Sequence, residues 1–201
     1  MINTTASASM LKIVSSNVRG FNDKAKRDEL LHHLNRDNPD IICLCDTRLK
    51  DEYIDMLRNE TNMLCQASCN NQVTGRGVCI LTKKNIPIST NLLHTDQEGN
   101  LIIIACKYDD HEFILANIYG PNEDDPEFFE RLFERLSNLH SPNVLIIGDF
   151  NVTINPLIDN LNYRQRRNEQ ARHKLIEMME SYGYNDTYRH IYGDKKNVYM
   201  V

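Results

Sequence analysis

The sequence lacks any apolar run long enough to span a membrane, and its first residues lack the features of a secretory signal. Residues 1–10 are mostly small and polar, without a basic stretch followed by an apolar one. We therefore expect a nuclear or cytoplasmic protein that is not secreted. We also expect residues 1–10 to form a disordered segment ahead of the folded domain.

The spacing of a zinc site is also missing, although the sequence contains six cysteines. Cys43 and Cys45 alternate within one apolar run, and Cys65 and Cys69 flank Gln-Ala-Ser. Neither pair has zinc-ribbon spacing with a matching second pair. A free thiol in an apolar run behaves as a small hydrophobic side chain, so we expect reduced thiols in the core.

No linker, repeat or low-complexity tract divides the 201 residues, so the length predicts one domain over residues 11–201. The net charge of −5 argues against a surface that coats nucleic acid broadly, but it leaves room for a local site. Five basic residues lie close together in the later part of the chain, either as a local contact or at the solvated start of a helix. They are Arg164, Arg166, Arg167, Arg172 and Lys174.

The most informative stretch covers residues 143–151, Asn-Val-Leu-Ile-Ile-Gly-Asp-Phe-Asn. Its apolar run predicts a strand that is buried on both faces and breaks at Gly148. In α/β sheets, reactive side chains lie just beyond the carboxyl ends of buried strands. Asp149 and Asn151 are two residues apart, so in an extended segment they point the same way. They could surround one small ligand, or they could belong to an ordinary turn after the strand.

Hydrophobic periodicity and turn residues predict a mixed α/β order for the rest of the chain. The other predicted strands cover residues 11–18, 41–45, 78–81, 85–93, 101–106 and 113–118. Pro87 indicates an edge position for its strand, and residues 109–111 indicate a hairpin. The predicted helices cover residues 24–36, 52–60 and 169–182. A further helix, capped by Asp124 or Asp125, has Pro126 in its first turn and apolar residues at helical spacing as far as Leu139.

Four predicted strands end in polar side chains, and this pattern points to chemistry. These side chains are Asn17, Asp46, Tyr119 with Asn122, and Asp149 with Asn151. A magnesium site commonly uses one or two carboxylates, several waters and the phosphate oxygens of the substrate. Such an ion neutralises developing charge, while amides can orient water and a phenol can donate to phosphate. The set therefore favours metal-assisted phosphodiester hydrolysis.

Four short segments carry a resemblance to a known family. They are Ser16-Asn17-Val18-Arg19-Gly20, Leu44-Cys45-Asp46-Thr47-Arg48, Ile118-Tyr119-Gly120-Pro121-Asn122 and Gly148-Asp149-Phe150-Asn151. In order and approximate spacing they resemble the endonuclease/exonuclease/phosphatase superfamily. With Gly75-Arg76-Gly77-Val78, and with residues 168–172 and 186–189, the chain looks most like the apurinic-type endonuclease domain of non-LTR retrotransposons.

The resemblance implies a DNase I-like α/β fold, a four-layer α/β/β/α sandwich with the active site at one edge. It implies DNA as the partner and Mg²⁺ or Mn²⁺ as the cofactor. In such elements the domain nicks chromosomal DNA, and the freed 3′ hydroxyl primes the reverse transcriptase that lies later in the same polyprotein. We expect a monomer.

The resemblance also assigns roles to individual residues by their position in the motifs. The metal-side ligands correspond to Asn17 and Asp46. The tyrosine that contacts phosphate corresponds to Tyr119, and the pair that positions the attacking water corresponds to Asp149 and Asn151. The implied nucleic-acid contacts are Arg19, Asn122 and Arg167.

Two features depart from the family pattern. The family usually has glutamate in the metal motif, whereas this chain has Asp46, whose carboxylate is retracted by about 1.5 Å. A misplacement of about 1 Å can cost on the order of a hundredfold in rate. The sequence also stops at Val201, before the closing Ser-Asp-His motif, and none of its seven histidines replaces that motif. We therefore expect a domain that is incomplete at its C-terminus and lacks its last strand or strands.

Three functions stay open at this point. The first is a DNA-nicking endonuclease domain of a retrotransposon polyprotein, active or silenced by these departures. The second is a catalytically dead remnant that at most binds DNA or another partner. The third keeps the fold but changes the substrate, to an abasic site in DNA or to a small phosphodiester.

Overall fold

Within the described residues, two four-stranded sheets face each other and helices cover their outer sides. The structure, a computed structural model, describes residues 10–71, 75–159 and 168–193. The strands are β1 Ile13–Asn17, β2 Ile41–Cys45, β3 Met63–Cys69, β4 Gly77–Lys83, β5 Ile88–Thr95, β6 Leu101–Tyr108, β7 His111–Tyr119 and β8 Val144–Asp149. The helices are α1 Lys24–Leu34, α2 Ile54–Thr61, α3 Pro126–Ser137, α4 Pro156–Asp159, α5 Glu169–Tyr182 and α6 Thr187–Tyr192. No helix in these ranges is long and apolar enough to cross a bilayer.

Each sheet contains a parallel pair of strands, and these pairs position the strand ends. The first sheet has the order β1-β2-β4-β3, and β1 runs parallel to β2 with Asn17 opposite Cys45. The second sheet has the order β5-β6-β7-β8, and β7 runs parallel to β8 with Tyr119 opposite Asp149. Parallel strands end at the same side of a sheet, so the polar residues that follow them lie side by side.

Three apolar layers hold the four layers of secondary structure together. Helices α1 and α2 pack on the first sheet, where Leu57 is fully buried. The two sheets meet in a central layer that contains Ile80 from one side and Leu115 from the other. Helices α3 and α5 cover the second sheet through Phe129 and Leu175. The predicted α/β/β/α sandwich is confirmed.

Helix α3 begins as the sequence predicts, and its two candidate caps have separate roles. The Asp125 side chain accepts a hydrogen bond from the Phe128 N–H, which makes Asp125 the cap of α3. The Asp124 carboxylate instead accepts from the N–H groups of Gln170 and Ala171, at 3.1 and 2.7 Å, in the first turn of α5. Two neighbouring carboxylates therefore cap two helices and fix their starts next to each other.

The six cysteines all lie within the described residues, and all are free thiols. Five are buried, and Cys69 is half-buried. The prediction of reduced thiols in the core is confirmed.

The burial of β8 differs from the prediction of a strand covered on both faces. All six of its residues are only half-buried. Within the described residues β8 pairs only with β7, so it is an edge strand, and it lines a groove of about 670 Å³ together with α5 and the segment before α6. An apolar run does not reveal how many neighbours a strand has. The prediction was therefore right about the strand and wrong about its burial.

A buried asparagine links the two sheets behind the strand ends. Asn117 lies on β7, and its Nδ2 donates to the carbonyls of Leu44 at 3.0 Å and Cys79 at 3.1 Å in the first sheet. The Cys45 thiol donates to Asn117 Oδ1 at 3.3 Å and to the Ile118 carbonyl at 3.1 Å. Burial raises the pKa of this thiol to about 12, so it keeps its proton. These directional bonds fix the offset between the two sheets.

Candidate active site

The loops that follow β1 and β2 are joined by backbone hydrogen bonds beyond the ends of the strands. Three N–H groups of the first loop donate to three carbonyls of the second. The pairs are Val18 to Cys45 at 2.9 Å, Gly20 to Asp46 at 2.7 Å and Phe21 to Thr47 at 2.8 Å. This ladder fixes the loop after Asn17 against the loop that carries Asp46.

A buried arginine on α1 holds the first of these loops by hydrogen bonds to its backbone. Arg27 is 2% exposed, and its Nη1 donates to the carbonyls of Phe21 at 2.9 Å and Asn22 at 3.1 Å. Its Nε and Nη2 pair with Glu60 at 2.7 and 3.0 Å, and this pairing lowers the pKa of the Glu60 carboxyl. Helices α1 and α2 are thus tied to the loop beside the strand ends.

The ends of β7 and β8 are joined in a similar way. The Gly120 N–H donates to the Asp149 carbonyl at 2.7 Å, and Asn151 Nδ2 donates to the Gly120 carbonyl at 2.7 Å. A Cβ at Gly120 would overlap the carbonyl oxygen of Phe150, so the close approach requires glycine there. The backbone around Asp149 and Asn151 is therefore held on both sides.

A hydrogen bond between the two sheets joins these two sets of strand ends. Asn17 Nδ2 donates to Asp149 Oδ2 at 2.7 Å, while Asn17 Oδ1 accepts from the Arg19 N–H at 3.0 Å. Asp149 Oδ1 accepts from the Asn151 N–H at 3.0 Å. Each carboxylate oxygen has a second lone pair. Asp149 is thus fixed in orientation and can still accept a hydrogen bond from water.

The Asp46 carboxylate is held by a neighbouring arginine. Arg48 Nε lies 2.9 Å from Asp46 Oδ1, and Arg48 Nη2 lies 3.0 Å from Asp46 Oδ2. The hydrogen bonds to Asp46 raise the pKa of Arg48, and the nearby Tyr119 also contributes. The result is a two-pronged ion pair at the end of β2.

The structure brings five of the residues predicted for the site to one edge of the sandwich. They are Asn17, Asp46, Tyr119, Asp149 and Asn151. Arg19 and Asn122 are exposed in the loops that follow β1 and β7. Arg167 lies outside the described residues, as do Arg164 and Arg166.

The two remaining basic residues of the later region face acids near them. Arg172 pairs with Glu169 at 3.5 Å, and Lys174 pairs with Glu177 at 2.9 Å on the same helix. Both side chains are half-buried, so the structure places these two residues in ion pairs within α5 and not on a freely solvated helix start.

Sequence reasoning missed three residues that hold the site together. Arg48 follows Asp46 by two residues, and nothing in the sequence alone assigns it a role. Asn117 precedes Tyr119 by two residues, inside the predicted strand, and its sequence context does not distinguish it from other strand residues. Asn168 Nδ2 donates to the Asn151 carbonyl at 2.9 Å, and its position in the retroelement-like region was the only signal for it.

The chemistry of the donor set decides which metal ion could bind here. The described residues contain no group of three His, Cys, Asp or Glu side chains placed to hold a metal. The joined strand ends offer the carboxylates of Asp46 and Asp149 and the amides of Asn17 and Asn151. Hard oxygen donors, with waters completing the shell, are the preferred ligands of Mg²⁺ or Mn²⁺, whereas typical zinc sites are built from Cys and His. The residues present are therefore compatible with the predicted cofactor.

Comparison with known proteins identifies the family of the chain. Residues 14–190 match the model of the endonuclease/exonuclease/phosphatase family. The chain belongs to this family. The matched range contains all four motif segments, so the superfamily predicted from them is confirmed. The enzymes after which the family is named all hydrolyse phosphate esters. Together with a nuclease relative, this supports nuclease-type phosphodiester hydrolysis as the class of reaction.

Proteins that are similar to this chain include nucleases. An exodeoxyribonuclease of Bacillus subtilis is 25% identical over 207 residues, which cover 94% of this chain and 79% of the relative. An AP endonuclease of Leishmania major has a TM-score of 0.77 at 18% identity, covering 94% of this chain and 72% of that one. The endonuclease domain of TRAS1, a telomere-specific non-LTR retrotransposon, has a TM-score of 0.62 at 14% identity, covering 84% and 72%. The DNase I-like fold is thereby confirmed.

Proposed function

We propose that this protein is a metal-dependent endonuclease that nicks DNA, of the kind found in non-LTR retrotransposons. The observation that carries the proposal is the hydrogen bond between Asn17 and Asp149, 2.7 Å long, across the two sheets. This bond joins the end of β1, beside the proposed metal ligands, to the end of β8, beside the proposed water-positioning pair. Residues 11–201 are proposed as the catalytic domain.

Asp149 and Asn151 are proposed to position the attacking water. The two carboxylate oxygens of Asp149 are oriented by N–H donors from Asn17 and Asn151, which leaves free lone pairs for the water. In hydrolysis the water oxygen bonds to phosphorus, one water proton passes to Asp149, and the bond from phosphorus to the 3′ oxygen breaks. That oxygen takes up a proton from solvent water, and the products are a 3′ hydroxyl and a 5′ phosphate.

Asp46 and Asn17 are proposed as the protein ligands of Mg²⁺ or Mn²⁺. When bound, a divalent cation would neutralise the charge that develops on the phosphate oxygens. Asp46 is almost completely buried, so its carboxylate can be held in one place. Its side chain is shorter than the glutamate usual at this position of the family.

The remaining roles concern the contact with DNA. The Tyr119 phenol is proposed to donate to a phosphate oxygen as its charge grows. Arg19, Asn122 and Arg167 are proposed as contacts to the nucleic acid, and the first two of these side chains are exposed near the site. Phosphate contacts of this kind position a duplex without reading its sequence.

The retrotransposon context is part of the proposal. It is supported by the motif series, by the segments at residues 168–172 and 186–189, and by the fold shared with the TRAS1 domain. We propose a monomeric domain, acting in the nucleus or cytoplasm, with a reverse transcriptase later in the same polyprotein. The nick would then provide the 3′ hydroxyl that primes DNA synthesis.

Two other functions have a specific observation in their favour. A nuclease for abasic sites is favoured by the fold shared with the Leishmania AP endonuclease, at a TM-score of 0.77. A catalytically dead remnant is favoured by Asp46, because it is shorter than the usual glutamate and already pairs with Arg48. A small phosphodiester as substrate has no comparable support.

A comparison of three substrates separates these functions. We expect the protein to nick plain duplex DNA in Mg²⁺, and to cleave a duplex with one abasic site within about tenfold of that rate. A soluble diester such as bis(p-nitrophenyl) phosphate should react far more slowly, because it lacks the flanking phosphates. A preference for the abasic duplex of more than about a hundredfold, equal to about 2.7 kcal/mol, would instead identify a repair nuclease.

A further inference from the structure

The ion pair between Asp46 and Arg48 occupies the carboxylate that is proposed to bind the metal. Both oxygens of Asp46 accept hydrogen bonds from the guanidinium, at 2.9 and 3.0 Å. In an exposed aspartate, each carboxylate oxygen could accept from an arginine with one lone pair and bind a cation with the other. Here, however, the guanidinium lies directly across both oxygens of a buried carboxylate, so the two cations compete for the same side of Asp46.

The two partners of this ion pair differ in their freedom to move. The Asp46 side chain is 8% exposed, whereas the Arg48 side chain is 53% exposed. The backbone of Arg48 is fixed, because Asn22 Nδ2 donates to its carbonyl at 3.0 Å. Asp46 and Arg48 both have left-handed backbone conformations, with φ of 51° and 55°. The carboxylate is therefore held in place, while the guanidinium can swing out into solvent.

We propose that Arg48 is a displaceable counter-ion of Asp46, which neutralises the carboxylate without metal and leaves it when a divalent cation binds. This inference rests on the proposed metal-dependent function. A buried carboxylate without a counter-ion is costly, and Arg48 removes that cost in the metal-free protein. The apparent affinity for the cation is then the intrinsic affinity multiplied by the fraction of molecules in which Asp46 is free of Arg48.

The test is a measurement of Mn²⁺ binding, followed by electron paramagnetic resonance of the free ion. We expect Arg48→Gln to bind Mn²⁺ about five- to tenfold more tightly than the parent protein, the size expected for release of a partly exposed ion pair. Arg48→Lys keeps the charge but loses the two-pronged geometry, and its affinity should lie between the two. If Arg48→Gln does not fold, Arg48→Lys provides the comparison with the parent protein.

The matched control is Arg131→Gln, which removes the same charge from another exposed arginine. Arg131 is 59% exposed and pairs with Glu127 on α3, the helix that packs on the outer side of the second sheet. The Arg131→Gln protein should bind Mn²⁺ with the same affinity as the parent. A thermal melt gives a second readout, since Arg48→Gln should melt lower than the parent without metal and gain more from added Mn²⁺.

The possible results separate the inference from the function on which it rests. If Mn²⁺ binds the parent and Arg48→Gln equally, and Asp46→Asn abolishes binding, the metal site stands and the role of Arg48 is wrong. Weaker binding by Arg48→Gln would also overturn the inference, because Arg48 would then support the site. If neither the parent nor any Arg48 variant binds Mn²⁺, the proposed metal dependence fails and the inference fails with it.

Discussion

Replacing Asp149 by asparagine is expected to slow DNA nicking by about a thousandfold, the usual size of a lost proton acceptor. The amide can keep the hydrogen bond from Asn17, because its oxygen can accept at the same place. It cannot take a proton from water, and it carries no charge. The single-turnover rate of nicking on a labelled duplex measures this effect without interference from product release.

The control for this variant is Asp110→Asn, which removes the same charge in the exposed turn between β6 and β7. Its nicking rate should match that of the parent. The unfolding free energy of Asp149→Asn should fall by no more than about 2 kcal/mol, because the amide keeps the hydrogen bond from Asn17 but turns its NH2 group toward the Asn151 N–H. Nicking by Asp149→Asn within about tenfold of the parent rate would remove Asp149 from the chemistry.

Replacing Gly148 by alanine is expected to lower the free energy of unfolding by at least about 3 kcal/mol. Gly148 has a φ of +130°, and a Cβ there would overlap the carbonyl oxygen of Ile118 and lie 3.0 Å from Asn117 Oδ1. The strain of the backbone and the overlap with β7 therefore act together. Urea unfolding monitored by circular dichroism measures the loss.

Gly183→Ala is the matched control, since Gly183 also has a positive φ, of +73°, but no atom lies within 4 Å of the place of its Cβ. It ends α5 as the residue after Tyr182. Backbone strain alone should cost about 1 kcal/mol there. Equal losses in the two variants would mean that the contact between Gly148 and β7 contributes nothing, contrary to the close packing described for β7 and β8.

Most of the fold could be predicted because its strongest elements carry local signals. The buried strand β2 is a continuous apolar run, and α3 repeats apolar residues at helical spacing after a capping aspartate and a proline. The strand β3, by contrast, was not predicted, since its sequence Met-Leu-Cys-Gln-Ala-Ser-Cys mixes polar and small residues. It lies at the edge of its sheet, where a strand needs fewer apolar residues.

The candidate site could be predicted only as a set of residues and not as an arrangement. The rule that reactive groups follow strand ends identifies Asp149 and Asn17, but it does not say that they contact each other across 132 positions of sequence. That contact depends on how far one sheet is shifted against the other, which Asn117 fixes inside the core. The pairing of Arg48 with Asp46 depends on two left-handed residues that are not glycine, and no sequence pattern indicates them.

Metal-dependent hydrolysis of DNA is the reaction proposed for the joined ends of β1, β2, β7 and β8. The most direct measurement is the conversion of supercoiled plasmid to the open circular form by the purified, folded protein, with Mg²⁺ and with EDTA in its place. We predict open circular plasmid in Mg²⁺ and unchanged supercoiled plasmid in EDTA. Plasmid that stays supercoiled in Mg²⁺, or that is nicked equally in EDTA, would contradict the proposed function.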